Sequence, residues 1–312
     1  MLMYRKSIIK RLVSLIKNPT RVIIILNNFG LLNLNWISDR IFIKIQYKAM
    51  TGRELNLLFP KTFSEKIQWL KLNGNLQNYS CLVDKYEVRK YIVETIGERY
   101  LIPLIGIWDK FDDIDFKKLP EQFVLKCTHD CNSAIICKNK TTFNTEYAKT
   151  RINKCLLRNY YYSGREKQYK NIKPRIICEK YMVDVSGVEL KDYKIYCFDG
   201  VPKVIQVIYD RLTVCKSNLY DVNWNYISVA KTYPTDPNRS ISKPSNLVEM
   251  LNIASILSRN RIFVRVDLYL VSEKIYFGEL TFTPAAGNGK FEPTEFDQIM
   301  GSWIELPNMS VV

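Results

Sequence analysis

Seven runs rich in β-branched and aromatic residues, at 123–127, 134–137, 175–182, 190–198, 204–209, 262–271 and 274–280, follow residue 120 and mark that part of the chain as sheet. Two of the joints are tight: Asp199-Gly200 after the fourth run, and Ser272-Glu273 between the last two. Strands joined that way pair antiparallel. Before residue 120 the pattern is helical. Thr62-Phe63-Ser64-Glu65 reads as a capping box ahead of Ile67, Leu70 and Leu72. Further helices are predicted over about 82–95, stopping at Gly97, and about 146–158. Residues 228–246, with Pro234, Pro237 and Pro244, read as a surface loop before a helix over 246–258. The expected class is α+β with a helical N-terminal extension, without internal repeats.

Of the 312 residues, 47% are apolar and 12% aromatic, which excludes a disordered chain, a collagen-like repeat and a disulfide-stapled miniature. The eight cysteines form no framework, and Cys178 and Cys197 sit inside apolar runs, the pattern of reduced, buried thiols in a cytosolic protein. Charge is uneven. Residues 1–60 carry ten basic side chains and two acidic ones, so eight of the fifteen net positive charges fall there. Such a segment suits a polyanion. No apolar stretch is long enough to span a bilayer, because Val22-Ile-Ile-Ile-Leu26 runs into Asn27-Asn28, and Lys10, Arg11 and Lys17 argue against a signal peptide. Between Tyr4 and Lys17, however, Ile8, Ile9, Leu12, Val13, Leu15 and Ile16 recur at helical spacing among basic residues. That is either a helix lying in a membrane interface or one packed on its own domain, and amphipathicity does not separate the two.

Four segments carry candidate chemistry. In Arg265-Val-Asp267 and Glu279-Leu-Thr281, residues two apart share a strand face, and a hairpin about Ser272-Glu273 brings both sets together. Two carboxylates and a hydroxyl beside an arginine fit a divalent cation and a phosphate. Lys126 leaves an apolar strand into Thr128-His-Asp-Cys-Asn-Ser133, a turn that could fold over phosphates. Cys127, His129 and Cys131 fit zinc poorly, being spaced two apart with no obvious fourth ligand. Arg175 to Asp184 is an apolar strand ending in charge, and Asp192 and Lys194 share a strand face.

In order and spacing these segments resemble the ATP-grasp superfamily, and within it the teichuronopeptide-biosynthesis (TupA-like) proteins. The resemblance spans about residues 60–284 and includes Val83-Asp84-Lys85-Tyr86, Leu101-Ile-Pro103-Leu104, Leu119 to Lys126, Cys178-Glu179-Lys180-Tyr181, Asp192-Tyr193-Lys194 with Cys197-Phe198-Asp199-Gly200, and Gly278-Glu279-Leu-Thr281-Phe-Thr-Pro284. It implies two α+β subdomains clamping ATP: a basic helical extension over 1–60, then a catalytic unit over 61–312. Within that unit a phosphate-loop subdomain would occupy about 120–182 and a metal-site subdomain about 183–312. Lys85 and Lys126 would hold the α- and β-phosphates under a loop that includes Thr128, Asn132 and Ser133. Glu179 and the backbone about Lys180 and Met182 would contact adenine, and Asp184 the ribose. Lys194 would reach the γ-phosphate, Asp267, Glu279 and Thr281 would carry Mg²⁺, and Arg265 would steady the transferred charge. The chain departs from its relatives in lacking glycines across 128–133 and in carrying Thr281 where many have asparagine.

The implied activity is an ATP- and Mg²⁺-dependent carboxylate–amine ligase of cell-surface polysaccharide biosynthesis, joining a uronic acid on a glycan or lipid-linked precursor to a small amine or amino acid through an acyl phosphate. The implied setting is the cytoplasm or the anionic inner face of the membrane. The rivals are a kinase on the same fold and a glycosyltransferase using Asp113-Ile-Asp115, although that motif lies in an acidic run that reads as a solvated loop. Nucleic acid is not an expected partner, since no recognisable motif interleaves aromatic and basic residues.

Overall fold

The computed structural model describes residues 19–28, 34–184, 187, 189–211 and 213–307, so the amphipathic helix expected over 4–17, whether interfacial or packed on its own domain, lies outside the described residues. Helices α1 (Pro19–Asn28) and α2 (Asp39–Thr51) lead into α3 (Phe63–Asn73). The capping box at the start of α3 forms as expected, with Thr62 Oγ1 accepting from Glu65 N at 3.1 Å and the Glu65 carboxylate accepting from Thr62 N at 3.1 Å. The single helix expected over 82–95 breaks into α4 (Ser80–Val83) and α5 (Val88–Thr95). Asp84 is the reason: its Oδ1 accepts from Tyr86 N (2.7 Å) and Glu87 N (2.9 Å), drawing these amides out of a continuous helical ladder. The break projects Lys85 sideways. Beyond it come α6 (Thr145–Leu156), the single turn α7 (Tyr161–Gly164), α8 (Leu247–Ser258) and α9 (Glu295–Ser302).

Strands β1 (Leu104–Trp108), β2 (Phe123–Cys127), β3 (Ile135–Cys137) and β4 (Ile176–Lys180) form one antiparallel sheet in the order β1-β4-β2-β3. A second antiparallel sheet uses β5 (Asp192–Phe198), β6 (Val201–Tyr209), β7 (Lys216–Asp221), β8 (Tyr226–Ile227), β10 (Phe263–Val271) and β11 (Lys274–Thr281) in the order β11-β10-β5-β6-β7-β8. The short β9 (Ala230–Lys231) pairs instead with β12 (Phe291–Glu292). Both expected hairpins are present. Asp199 and Gly200 have φ of 45° and 78°, Ser272 and Glu273 of 47° and 63°, the left-handed pair that two-residue hairpins require.

Period-two alternation gives each sheet one apolar and one polar face. Phe123, Leu125, Ile176 and Cys178 pack against Ala148 and Ile152 of α6. Ile195, Cys197, Val264, Val266 and Leu268 pack against Met250, Ile253, Ala254 and Leu257 of α8. Each Val, Leu, Ile, Phe or Met among them contributes roughly 1.5–3 kcal/mol of burial. The alternate residues, Val124, Lys126 and Glu179 on one sheet and Lys194, Asp267 and Glu279 on the other, border shared cavities between the two sheets.

Candidate active site

Strand register turns the polar face of the second sheet into three rows. Tyr269 pairs with Asp192. Next, Glu279 pairs with Asp267, Asp267 with Lys194 and Lys194 with Gln206, one line across four strands. Then Thr281 pairs with Arg265, and Arg265 with Tyr196. A bulge after Asp267 lets β11 pass Gly278, where an added Cβ would stand 3.0 Å from Asp267 O and from the Tyr269 ring.

Within these rows the charges interlock. Arg265 Nε and Nη2 donate to Asp267 Oδ1 (2.6 Å) and Oδ2 (2.7 Å), and Nη2 also reaches Glu279 Oε1 (2.8 Å) and Thr281 Oγ1 (2.9 Å). Lys194 Nζ donates to Asp267 Oδ2 and stands 3.5 Å from Asp192 Oδ2, which also pairs with Arg211. Thr281 Oγ1 donates to Glu279 Oε1 at 2.9 Å. Burial alone would raise the Glu279 carboxyl, but Lys194, Arg265 and Lys85 outweigh it and hold the group down at about 2. Its side chain still keeps 40% of its surface open to the cleft. An ionised carboxylate facing a cleft beside a second one, Asp267, is a hard-oxygen donor set of the kind Mg²⁺ uses. Thr281 sits in the same cluster.

Across the cleft, Lys126 Nζ donates to Glu179 Oε2 at 2.5 Å, and Arg89 stands 3.6 Å from Glu179 Oε1. Lys85 Nζ donates to Cys127 O (3.1 Å) and to Asp130 O, so the cation is tied to the mouth of the 128–133 loop. In that loop only Asn132 is exposed among the three expected phosphate contacts. It adopts a left-handed φ of 69° while its carbonyl accepts from Arg151 at 2.7 Å. Thr128 is buried with its Oγ1 lacking a hydrogen-bond partner among the described residues, and its backbone N–H donates to Arg175 O at 2.9 Å. Ser133 is buried too, accepting from Cys127 N (2.9 Å) and donating to Asp130 Oδ1 (2.5 Å). The Ser133 side chain therefore ties the two ends of the loop together, and Thr128 is anchored through its backbone.

Val124, Ile136, Tyr181, Met182, Leu190 and Tyr269 enclose an apolar cavity of about 240 Å³, with Lys126, Glu179 and Asp192 at its polar end. Lys180 borders it as well, its N–H given to Pro103 O at 3.0 Å. Asp184 turns inward, bonded to Lys191 at 2.6 Å, and Glu189 rather than Asp184 lines the cavity. A larger cavity of about 430 Å³ continues along the rows past Lys194 and Arg265 to Glu166, Thr283 and Ala285.

Sequence reasoning overlooked Tyr269, Arg211, Lys231 and Glu166, all of which border these cavities. Tyr269 stands two residues after Asp267, so strand alternation alone could have found it, whereas Arg211, Lys231 and Glu166 lie in segments without periodicity. Two other constellations dissolve. His129 Nε2 lies 3.1 Å from both Cys155 O and Arg158 O, burial raises the Cys127 thiol and pushes Cys131 up to about 11, and no zinc site forms from the three. Cys127, Asp130 and Cys155 do come within 4.8 Å of one another, and burial and the Asp130 charge raise both thiols there. Asp113 and Asp115 are exposed about a single 3₁₀ turn, away from these cavities.

The model of the TupA-like ATP-grasp family matches residues 65–305. The chain belongs to that family. Its fold is thus the ATP-grasp fold. No curated protein matches it. Among solved structures it is similar to D-alanine–D-alanine ligase from Bacillus anthracis (18% identity, 75% of this chain and 73% of that one, TM-score 0.40). It is also similar to an ATP-grasp RimK-domain protein from Sphaerobacter thermophilus (8% identity, 73% and 69% of the two chains, TM-score 0.39). Another such structure is N5-carboxyaminoimidazole synthase from Aspergillus clavatus (10% identity, 66% and 45%, TM-score 0.36). Among the described residues no helix is long and apolar enough to cross a membrane.

Proposed function

We propose that this ATP-grasp protein is an ATP- and Mg²⁺-dependent carboxylate–amine ligase of cell-surface polysaccharide biosynthesis, acting on capsule, O-antigen or teichuronic-type glycans at the cytoplasmic side of the membrane. The observation that carries the reading is the continuous row Lys194–Asp267–Glu279 facing Lys85 and Lys126 across a cleft with an apolar cavity at one end. Family membership and the net charge of +15 support an acidic glycan as substrate.

Adenine would sit among Tyr181, Met182 and Leu190, with the phosphates leading past Lys126 and Lys85 toward Lys194. Asp267 and Glu279 would hold Mg²⁺, with Thr281 as a third oxygen, and the metal would neutralise charge between the phosphates. Lys194 then lies where the γ-phosphate arrives and Arg265 beside the developing charge, both already oriented by Asp267. Attack of a uronic-acid carboxylate on the γ-phosphate breaks the bond to ADP and forms an acyl phosphate; attack by the amine of a small amine or amino acid releases phosphate and leaves an amide. The loop 128–133, tied by Ser133 and anchored at Thr128, would cover the phosphates and exclude water. Neither step needs a nucleophilic thiol, in keeping with the raised Cys127 and Cys131.

The test is to incubate the protein with ATP, Mg²⁺, glucuronate or galacturonate and a panel of amines, and to identify products with and without hydroxylamine. ADP together with a hydroxamate supports the ligase. ADP with a phosphorylated hydroxyl and no hydroxamate would make it a kinase, and UDP released from a UDP-sugar would make it a glycosyltransferase.

A further inference from the structure

Lys231 lies buried beside the larger cavity. It keeps only 3% of its surface exposed, yet among the described residues no carboxylate pairs with it. Its Nζ donates to Tyr196 OH at 2.7 Å and lies over the rings of Tyr196 (4.6 Å) and Phe291 (5.3 Å). The Tyr196 hydroxyl in turn donates to Gln206 Oε1 at 2.8 Å, and Gln206 Nε2 donates to Ser217 Oγ (3.0 Å) and to the Lys231 carbonyl (3.1 Å). This network fixes the ammonium in place and consumes one of its three hydrogens. A buried charge with neutral partners alone is costly, and the two hydrogens left over are available to an anion in the cavity that Lys231 borders.

Its position says which anion. The apolar cavity lies beside the Asp192–Tyr269 row, Lys194 and Asp267 form the next row, and Tyr196 and Arg265 the one after. Rows of a sheet face are about 7 Å apart along the strands. Lys231 hangs from Tyr196, on the far side of Lys194 from the apolar cavity, and borders the same large cavity as Arg265 and Thr281. Its stem passes the turn after Thr283, since a Cβ on Gly289 would lie 4.0 Å from Lys231 Cε and 3.7 Å from Ala285 Cβ. The carboxylate on that side, Glu166, already accepts from Thr283. In phosphoryl transfer the nucleophile and the departing ADP lie on opposite sides of the phosphorus. With ADP on the apolar side, the side of Lys231 belongs to the second substrate.

We infer that Lys231 is a substrate-binding residue whose ammonium takes a carboxylate of the second substrate, from the uronic acid or from an amino-acid amine. This rests on the ligase reading above and adds the recognition of the group being activated or joined.

The test is isothermal titration calorimetry on full-length protein held with Mg²⁺ and a non-hydrolysable ATP analogue, comparing wild type, Lys231→Met and Lys231→Arg. Glucuronate and glycine are the two probes, with glucose and glycinamide as their uncharged-carboxyl counterparts. Glucuronate binding that Lys231→Met weakens at least tenfold assigns the uronic acid, and the same loss with glycine assigns the amino acid. Lys231→Arg should restore most of that binding, and Lys231→Met should melt no lower than wild type, because it removes a buried charge held by neutral partners. If neither carboxylate binds, if the neutral counterparts bind equally, or if Lys231→Met leaves carboxylate binding unchanged, Lys231 is a structural residue and the assignment falls. Failure of the wild type to bind the ATP analogue at all would instead bring down the ligase reading.

Discussion

Asp267 stands directly opposite Lys194 in the β5–β10 register, and its carboxylate accepts from that ammonium with one oxygen while Arg265 spans both. The pair shows how the site reconciles two needs. The cations neutralise the carboxylate proposed to hold Mg²⁺, and with ATP bound they would be the groups that meet the γ-phosphate. The site is therefore charged in advance and needs little reorganisation.

Asp267→Asn and Glu279→Gln are each expected to lower ATP turnover by about 100-fold or more, since the charge that would hold Mg²⁺ is needed most in the transition state. Asp267→Asn also strands two buried cations and is expected to cost about 3 kcal/mol of stability. Steady-state ADP release across an Mg²⁺ titration, with denaturant melts alongside, measures both. Wild-type turnover in either variant at saturating Mg²⁺ would remove the metal assignment.

The two lysines should separate kinetically. Lys126→Met leaves Glu179 with the more distant Arg89, and is expected to raise the KM for ATP about tenfold with a small change in kcat. Lys194→Met, next to the proposed site of transfer, is expected to lower kcat by about 100-fold. Comparable small effects at both positions would mark them as surface charges.

Glu279 ties stability to pH. Its carboxyl is held at about 2 in the folded chain against an ordinary value of 4.5. A depressed carboxyl stabilises the fold above the unfolded value and loses that contribution as pH falls from about 4.5 towards 2. With 40% of the side chain open to solvent, screening limits the effect to about 1–2 kcal/mol. Wild type should therefore lose more stability than Glu279→Gln between pH 5 and 2.5, read from urea midpoints at each pH. Parallel curves would show that Lys194 and Arg265 do not hold the carboxylate.

Gly278 tests the bulge. In Gly278→Ala the new Cβ would press on Asp267 O and the Tyr269 ring, both at 3.0 Å, and one of them has to move. A shift of Asp267 by a few tenths of an ångström is expected to lower kcat about tenfold while the chain still folds. Unchanged kcat would mean that β11 absorbs the methyl without disturbing its neighbour.

What could be read in the sequence was what repeats or caps. Thr62 and Glu65 announced α3, the left-handed pairs at 199–200 and 272–273 announced their hairpins, and alternation brought Arg265, Asp267, Glu279 and Thr281 onto one face. Alternation also reaches Tyr269, which went unread because an aromatic in a strand looks like core. The Asp84 break was hidden because a turn-forming aspartate and a helical one look alike until their amides are counted. Strands β7 and β9, and with them Lys231, fell in stretches too short or too polar to show a period. Thr128 and Ser133 have the chemistry of phosphate ligands, and only the structure shows that both are buried.

The last expectation concerns the N-terminal charge, where the folded part sets the limit of a clean deletion. Arg165, 1% exposed, donates to Leu34 O at 2.7 Å and stands 3.8 Å from Asp39, while Phe42, Ile43 and Tyr47 of α2 are buried. Cutting into α2 would strand Arg165 and open the core, so the deletion has to stop short of Leu34. Removing residues 1–18 takes away Arg5, Lys6, Lys10, Arg11 and Lys17 together with the apolar positions between them. If that segment lies on an anionic leaflet, each basic residue near the surface contributes about 1 kcal/mol of attraction, which salt screens. The full chain should sediment with anionic vesicles at low salt, less at high salt and little with neutral ones. The shortened chain should remain in the supernatant with its ATP turnover intact, because the groups proposed for catalysis lie beyond Asp84. Equal sedimentation of the two chains would place membrane binding elsewhere, and a full chain that ignores anionic vesicles would leave its basic charge to an acidic glycan.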